Sequence, residues 1–188
     1  MTERILRRYE SDDELKYLES EEEFEEYLEA IAPYIGWIVI YFNSLEEHLA
    51  DFIREGILRD PIQDERLDVF LSEMQFAAKC KALIHLYGQM IESCAVKCTQ
   101  NELNELEKVL LECAKRRNEY AHADWINLRK ESYVRVKWQS KKRGVFHRYR
   151  KFEIPLMEVD VEFINNARHV LCEFNDRIAD QIYGRETP

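Results

Sequence analysis

Apolar positions recur every three or four residues along most of this 188-residue chain, which is the period of an amphipathic α-helix. One such stripe follows Pro33 and runs through residues 34–53, so we expect Pro33 to open a helix. Further stripes predict helices over residues 67–91, 103–121 and 157–183. These patterns predict a mainly α protein.

The N-terminal region, residues 1–29, is strongly acidic and has only a thin apolar edge from Leu15 to Leu28. We expect a surface helix or a pair of helices there, with the glutamates between residues 21 and 26 forming a solvated face. A single domain is expected over residues 1–188, with a helical core over 30–128.

The period changes to two after residue 129. Residues 133–138 alternate between apolar and polar, residues 141–144 have the composition of a turn, and residues 145–154 alternate again. This pattern predicts a β-hairpin over 129–154, inserted before the last helix.

The predicted hairpin is basic although the chain as a whole carries a net charge of −10. Residues 129–151 hold ten Lys or Arg and one Glu. Cations interleaved with aromatic rings suit single-stranded RNA, although a solvated hairpin with packed aromatics has the same composition. The predicted RNA-binding residues are Arg135, Lys137, Lys141, Lys142, Arg143, Arg148 and Arg150. Four of them are expected to share one polar face of the hairpin: Arg135, Lys137, Arg148 and Arg150.

Other features bear on compartment and metal content. The five cysteines are scattered over helical segments, as in free thiols of a reducing cytoplasm. Cys94 and Cys98 are four residues apart but have no second ligand pair nearby, so no metal site is expected. The longest apolar run, residues 31–42, is short and contains Pro33 and Gly36, and no secretory signal is recognised, so we expect a cytoplasmic protein without a membrane partner.

The candidate chemistry lies at the end of the fourth predicted helix, over residues 117–125. A capping box at residues 99–102 predicts where that helix starts. Its apolar stripe continues through Cys113 to Arg117, with Ala121 one turn further. A guanidinium on such a stripe needs a partner, a cleft or a subunit interface.

This segment resembles the signature of the HEPN superfamily (higher eukaryotes and prokaryotes nucleotide-binding), in which an Arg, a polar residue and a His close a helix. The matching residues are Arg117, Asn118 and His122. The resemblance covers about residues 30 to 183 and implies a helical bundle of HEPN type. It also implies a metal-independent endoribonuclease without cofactors, acting as a homodimer that joins two copies of the motif, of the kind used as a toxin or defence effector and controlled by an antitoxin or regulatory protein.

The residue types suit cleavage of RNA by its own 2′-hydroxyl. His122 can exchange protons near neutral pH, and Arg117 can hold two phosphate oxygens at once. Asn118 lies one turn before His122 and could orient it. Glu46 and Asn43 are expected on an earlier helix as partners of Arg117; Glu46 could equally reach water at the edge of its stripe.

Two further interpretations of the motif remain open. The chain could be a non-catalytic HEPN-like helical module that binds RNA, a nucleotide or a protein partner, with the hairpin as its contact element. Alternatively, Arg117 and His122 could be structural parts of a helical bundle.

Overall fold

The structure, a computed structural model, describes residues 3–93 and 96–183, and it is mainly helical with one small antiparallel sheet. Short 3₁₀ turns lie at Glu65–Leu67, Trp125–Asn127 and Lys130–Ser132. In chain order the strands and α-helices are β1 (Glu3–Arg7), α1 (Arg8–Glu14), α2 (Glu21–Ile57), α3 (Asp68–Leu71), α4 (Phe76–Glu92), α5 (Gln100–Ala121), β2 (Tyr133–Lys141), β3 (Gly144–Lys151) and α6 (Ile154–Tyr183).

The chain folds into two compact units. The sheet unit comprises residues 1–39 and 116–162, and the helical unit comprises residues 40–115 and 163–188. Three helices are divided between the units, with one part in the sheet unit and the rest in the helical unit: α2, α5 and α6. The predicted motif lies in the sheet unit.

The helical unit is built around apolar faces of α2, α4, α5 and α6. Phe42 contacts Phe76 with ring centroids 4.5 Å apart, and Tyr87 contacts Phe174 at 5.5 Å. The Tyr87 hydroxyl donates to Asn175 Oδ1 (2.7 Å), which satisfies a polar group in the interior. Phe70, which the stripe over residues 67–91 predicts as a core residue, is 67% exposed, so that part of the prediction was wrong. The buried residues of this unit include Leu45, Leu49, Ile53, Leu83, Leu103, Leu106, Leu110, Ile164, Leu171 and Ile178.

The predicted hairpin is confirmed. β2 and β3 pair antiparallel, with Lys141 opposite Gly144 and two residues between them. Gly144 has φ +123°, a conformation that side-chain-bearing residues rarely adopt, so glycine is required where the turn enters β3.

The sheet has a third strand that the sequence pattern did not predict. β1 pairs antiparallel with β3, giving the order β1-β3-β2, so the expectation of an entirely helical N-terminal region was wrong. Arg129 anchors the following segment, because its guanidinium donates to the Leu15 carbonyl and to Asp12 (both 2.8 Å). Leu6, Leu15, Tyr133 and Tyr149 form the buried cluster on this side of the sheet.

A β-bulge in β2 changes which basic residues share a face. The register pairs Arg135 with Tyr149 and Lys137 with Arg148, with the irregularity between Arg135 and Lys137. Since Arg148 and Tyr149 are adjacent on β3, their partners lie on opposite faces. The prediction of one polar face carrying Arg135, Lys137 and Arg148 together was therefore wrong.

Helix α2 also differs from the prediction, because Pro33 lies inside it instead of opening it. Proline removes the hydrogen bond that its amide would give to the Glu29 carbonyl. Glu29 and Pro33 are both exposed, so water can satisfy that carbonyl, while Ile31 and Ile38 are buried on the other side. Burial of this apolar side outweighs the local cost of proline.

The continuous α2 bears on the membrane question. Within the described residues it is the one helix whose length and composition would allow it to cross a bilayer, and 22% of its apolar window is buried. Helix α2 continues through Pro33 and Gly36, both of which lie in the apolar run of residues 31–42. Length and composition are shared by membrane spans and by core helices of soluble proteins.

Other helix boundaries follow local hydrogen bonding. The capping box is confirmed: the amide of Thr99 donates to Glu102 (2.8 Å), and the amide of Glu102 donates to Thr99 Oγ1 (3.2 Å). The stripe over residues 67–91 is divided between α3 and α4, and Ser72 Oγ donates to a backbone carbonyl at the break. α6 starts earlier than predicted because Pro155 is tolerated in its first turn.

A buried histidine lies at the centre of the sheet. His147 on β3 is enclosed between Trp138 and Tyr149, and neither ring nitrogen forms a hydrogen bond with a described residue. Burial lowers the pKa of His147, and the charges of Arg135, Arg8 and Arg129 lower it further, against the opposing effect of Asp12.

The free energy of unfolding is expected to fall on acidification through His147. The unfolded chain takes up this proton near pH 6.5, whereas the folded chain resists it, so stability is lost as the pH drops below that value. Urea unfolding between about pH 7 and about pH 5 should show a smaller loss for His147→Phe than for the wild type. The exposed His169→Phe serves as the control. Equal pH dependence in all three proteins would contradict the assignment.

Candidate functional site

The motif lies where α5 ends in the sheet unit. The amide of His122 makes the last helical hydrogen bond, to the carbonyl of Asn118 (3.1 Å). Trp125 Nε1 donates to the carbonyl of Tyr120 (3.1 Å), which satisfies a carbonyl that a helix end leaves open. The three motif residues are therefore carried by one hydrogen-bonded turn.

The structure places Asn118 and His122 on the exposed side of this turn, and Arg117 contacts Asn118. Arg117 Nη1 donates to Asn118 Oδ1 at 3.1 Å. Asn118 and His122 are exposed and Arg117 is half-buried. His122 is exposed as a residue, and among the described residues none hydrogen-bonds its imidazole. An imidazole in this setting can exchange protons with a bound molecule.

The inner side of the same turn carries Glu119, a buried carboxylate that sequence reasoning missed. It accepts hydrogen bonds from Arg148 and from Arg150 Nη1 (2.5 Å), both on β3. Its side chain is 11% exposed. A buried carboxylate needs such pairing, and here the pairing ties the motif turn to the sheet.

A second buried carboxylate, Asp160 on α6, completes this arrangement. Its side chain is 5% exposed, and it accepts from Arg116 Nη1 (2.8 Å), Arg150 Nη2 (2.5 Å) and the hydroxyl of Tyr120 (2.7 Å). Burial, followed by the Asp160 carboxylate, raises the pKa of Tyr120, so its hydroxyl remains a donor. We call Arg116, Glu119, Tyr120, Arg148, Arg150 and Asp160 the carboxylate network.

The buried face of α5 differs from the predicted apolar stripe at the end of the helix. Tyr120 is buried and Ala121 is exposed, so the inward face of α5 passes through Tyr120 and not through Ala121. Tyr120 packs on Phe152 with ring centroids 5.0 Å apart, and Trp125 packs on Phe152 at 4.8 Å. The three-four spacing of the stripe would have placed Tyr120 correctly, but no local signal identified the partners of Glu119.

The predicted RNA-binding residues fall into two groups. Arg135 pairs with Asp124, and Arg148 and Arg150 belong to the carboxylate network, so these three guanidiniums already hold carboxylates. By contrast, the residues at and near the turn are exposed to solvent: Lys137, Lys141, Lys142 and Arg143. Trp138 beside them is 69% exposed. Of the other aromatic residues between positions 129 and 154, Tyr133, Tyr149 and Phe152 are buried.

Glu46 and Asn43, the predicted partners of Arg117, lie in the helical unit. Glu46 Oε1 accepts from Lys79 Nζ at 2.9 Å, with the two side chains 28% and 12% exposed. Asn43 is exposed. Sequence reasoning missed Lys79 because nothing in a helical pattern shows which cation a neighbouring helix supplies. A role for Glu46 or Asn43 toward Arg117 stays a prediction.

Within residues 3–93 and 96–183, no group of three or more His, Cys, Asp or Glu side chains is arranged to hold a metal ion. Cys98 is buried with a free thiol, and Cys94 lies outside the described residues.

No protein-family model, curated protein or solved structure matches this chain.

Proposed function

We propose that this protein is a metal-independent endoribonuclease with a helical fold of HEPN type. The observation that carries the proposal is the contact between Arg117 and Asn118 one helical turn before the exposed His122, whose imidazole has no hydrogen bond to the described residues. The carboxylate network supports it, because Arg148 and Arg150 hold Glu119 on the inner side of that turn while Asn118 and His122 are exposed.

In the proposed reaction the 2′-oxygen of a nucleotide forms a bond to the adjacent phosphorus, and the bond from phosphorus to the 5′-oxygen breaks. One His122 takes the proton from the 2′-hydroxyl, and a second imidazole gives a proton to the leaving 5′-oxygen. Arg117 holds two non-bridging oxygens and stabilises the charge that develops on them. The products are a 2′,3′-cyclic phosphate and a 5′-hydroxyl.

A second copy of the chain is part of the proposal. Arg117 and His122 are five residues apart, so their directions on a helix differ by about 140°. One motif therefore presents base, acid and cation poorly to a single phosphate. A two-fold axis beside the motif would supply both histidines and both arginines to one cleft.

The protein is accordingly expected to be a dimer at micromolar concentration in sedimentation velocity. Asn118→Lys would add one positive charge from each chain beside the axis, and we expect it to shift the protein toward monomer. Asn166→Lys, exposed on α6, is the matched control and should remain dimeric. A monomeric wild type would remove the composite site.

The proposed activity is tested by incubating mixed-sequence RNA with the purified protein in EDTA and identifying the new ends. Metal-free cleavage with cyclic phosphate ends would support it. Ends carrying a 5′-phosphate would contradict it.

A second candidate function is favoured by the hairpin turn. Lys141, Lys142 and Arg143 are exposed together, with the Trp138 ring nearby along β2. Cations and a free ring can hold phosphate and base without any reaction. On this alternative, the chain is a non-catalytic HEPN-like module that binds RNA, a nucleotide or a protein partner.

Replacing Lys141, Lys142 and Arg143 by Gln is expected to weaken RNA binding and to flatten its salt dependence, because fewer counterions are released on binding. Arg148 and Arg150 are left unchanged because they hold buried carboxylates. The control replaces three exposed lysines of the helical unit, Lys81, Lys108 and Lys115, by Gln. An identical salt slope for the two triple variants would show that the turn does not contact RNA.

The biological setting belongs to the same proposal. We propose that the enzyme acts in the cytoplasm as a toxin or defence effector and that an antitoxin or other regulatory protein restrains it. Growth arrest on expression of the wild type, and not of His122→Ala, is the expected result in cells.

A further inference from the structure

The part of α2 that lies in the sheet unit has an unusual exposed face. Successive residues of an α-helix are rotated by about 100° about its axis, so ten residues between positions 21 and 39 lie on one side of α2, within about 160° around that axis. These ten are exposed or half-exposed: Glu21, Glu22, Glu25, Glu26, Glu29, Ala32, Pro33, Gly36, Trp37 and Val39. The opposite side of the helix includes the buried residues Ile31 and Ile38.

This face, which we call the α2 face, is divided along its length. All five residues up to position 29 are glutamates, and all five from position 32 onward are apolar. Trp37 is 48% exposed, and a Cβ atom built on Gly36 would have nothing within 4 Å. An exposed apolar patch bordered by charge is typical of an interaction surface.

The carboxylates extend beyond what the helix end explains. Negative charge in the first turn is favoured by the helix dipole, which accounts for Glu21 and Glu22. Glu25, Glu26 and Glu29 lie past that turn, and none of them pairs with a cation in the described part of the chain. The charges on this face are therefore available to a partner.

The charge pattern selects among partners. A second copy laid parallel would place five glutamates against five glutamates, and an antiparallel copy covering the whole face would bury them on apolar side chains. A bilayer would bring the same carboxylates against anionic headgroups. A helix with an apolar half and a Lys- or Arg-rich half matches both parts of the face.

We propose that the α2 face docks a basic amphipathic helix of another protein. The partner helix packs antiparallel to α2, with apolar residues over Ala32, Gly36 and Val39 and with lysines or arginines at its C-terminal end over the glutamates. Basic residues at that end also suit the partner's own helix dipole. The face is about 28 Å long, which corresponds to about 19 residues of partner helix. This inference rests on α2 alone and is independent of RNA cleavage.

The test measures binding of synthetic peptides to the full-length protein by calorimetry. The first peptide is a helical 19-mer, a length of about 28 Å, with a Leu and Ala stripe in its N-terminal half and a Lys cluster in its C-terminal half. The second carries Glu in place of Lys, and the third has a scrambled order. Only the first is expected to bind, and its affinity should fall steeply with salt.

Matched protein variants locate the site. Val39→Asp is expected to weaken binding at least about tenfold, whereas Val69→Asp, exposed on α3, should have no effect. Replacing Glu25, Glu26 and Glu29 by Gln should weaken binding and flatten the salt dependence. Replacing Glu65, Glu73 and Glu173 by Gln removes the same charge elsewhere and should not. Circular dichroism checks that each variant is folded.

Several results would overturn the proposal. The basic peptide would fail to bind, or the scrambled peptide would bind as tightly as the basic one. Alternatively, the α2 variants and their matched controls would change peptide binding equally. Vesicles of anionic phospholipid that bind the wild type and not Val39→Asp would assign the face to a membrane. A dimer that Val39→Asp dissociates would assign it to a second copy of the chain.

Discussion

His122→Ala is expected to remove RNA cleavage while leaving RNA affinity nearly unchanged. His122 is exposed, and its imidazole forms no hydrogen bond with the described residues, so we expect its loss to disturb the fold little. Proton transfer matters in the transition state and contributes about 10² to 10⁴ in rate. The measurement compares single-turnover cleavage and RNA binding for the variant and the wild type.

Two further variants separate the chemistry from general effects of substitution. Arg117→Lys keeps the positive charge but loses the fork that holds two oxygens, so we expect cleavage to be strongly impaired. His169→Ala removes an exposed histidine of the helical unit and should leave cleavage unchanged. Full activity of His122→Ala would contradict the mechanism.

The second large effect is on stability. Asp160→Ala is expected to lower the free energy of unfolding by about 3 kcal/mol, because it removes the buried carboxylate that two part-buried cations, Arg116 and Arg150, share. Asp160 accepts from Arg116, Arg150 and Tyr120, and its side chain is 5% exposed. Urea unfolding at neutral pH measures the change.

Asp176→Ala, exposed on the same helix α6, is the control for removing an aspartate. Its effect should be a few tenths of a kcal/mol, as is usual at exposed positions (about 0.5 kcal/mol or less). If Asp160→Ala is no more destabilising than this control, the carboxylate network does not stabilise the motif turn.

The features that sequence predicted are those set by local pattern. The hairpin follows from alternation around a Gly144 turn, and the start of α5 follows from the Thr99 and Glu102 capping box. Both signals involve neighbours within a few residues. For the same reason, the position of His122 one helical turn after Asn118 could be anticipated from their spacing.

The features that sequence missed depend on distant contacts. β1 is only five residues long and pairs with β3, which lies near the other end of the chain, so alternation alone could not show it. The bulge between Arg135 and Lys137 reverses the faces of a strand without any glycine or proline to mark it. Pro33 was misread because propensity is a local preference that burial of Ile31 and Ile38 overrides.

The carboxylate network could not be predicted from the basic composition of its segment. The basic composition of residues 129–151 indicated an RNA-binding surface, yet Arg148 and Arg150 are held by Glu119 and Asp160. Composition counts charges and does not show which of them are already paired. The exposed charge of the hairpin is concentrated at its turn.

The most direct test of the proposed mechanism uses one RNA with a single mapped cleavage position. The wild-type protein is incubated in EDTA with this RNA and with the same RNA carrying a 2′-deoxy nucleotide on the 5′ side of the cut. We predict cleavage of the first, with a 2′,3′-cyclic phosphate end, and none of the second, because attack by the substrate's own 2′-hydroxyl is then impossible. Cleavage of both RNAs at the same position, or no cleavage of either by the pure dimer, would contradict the account.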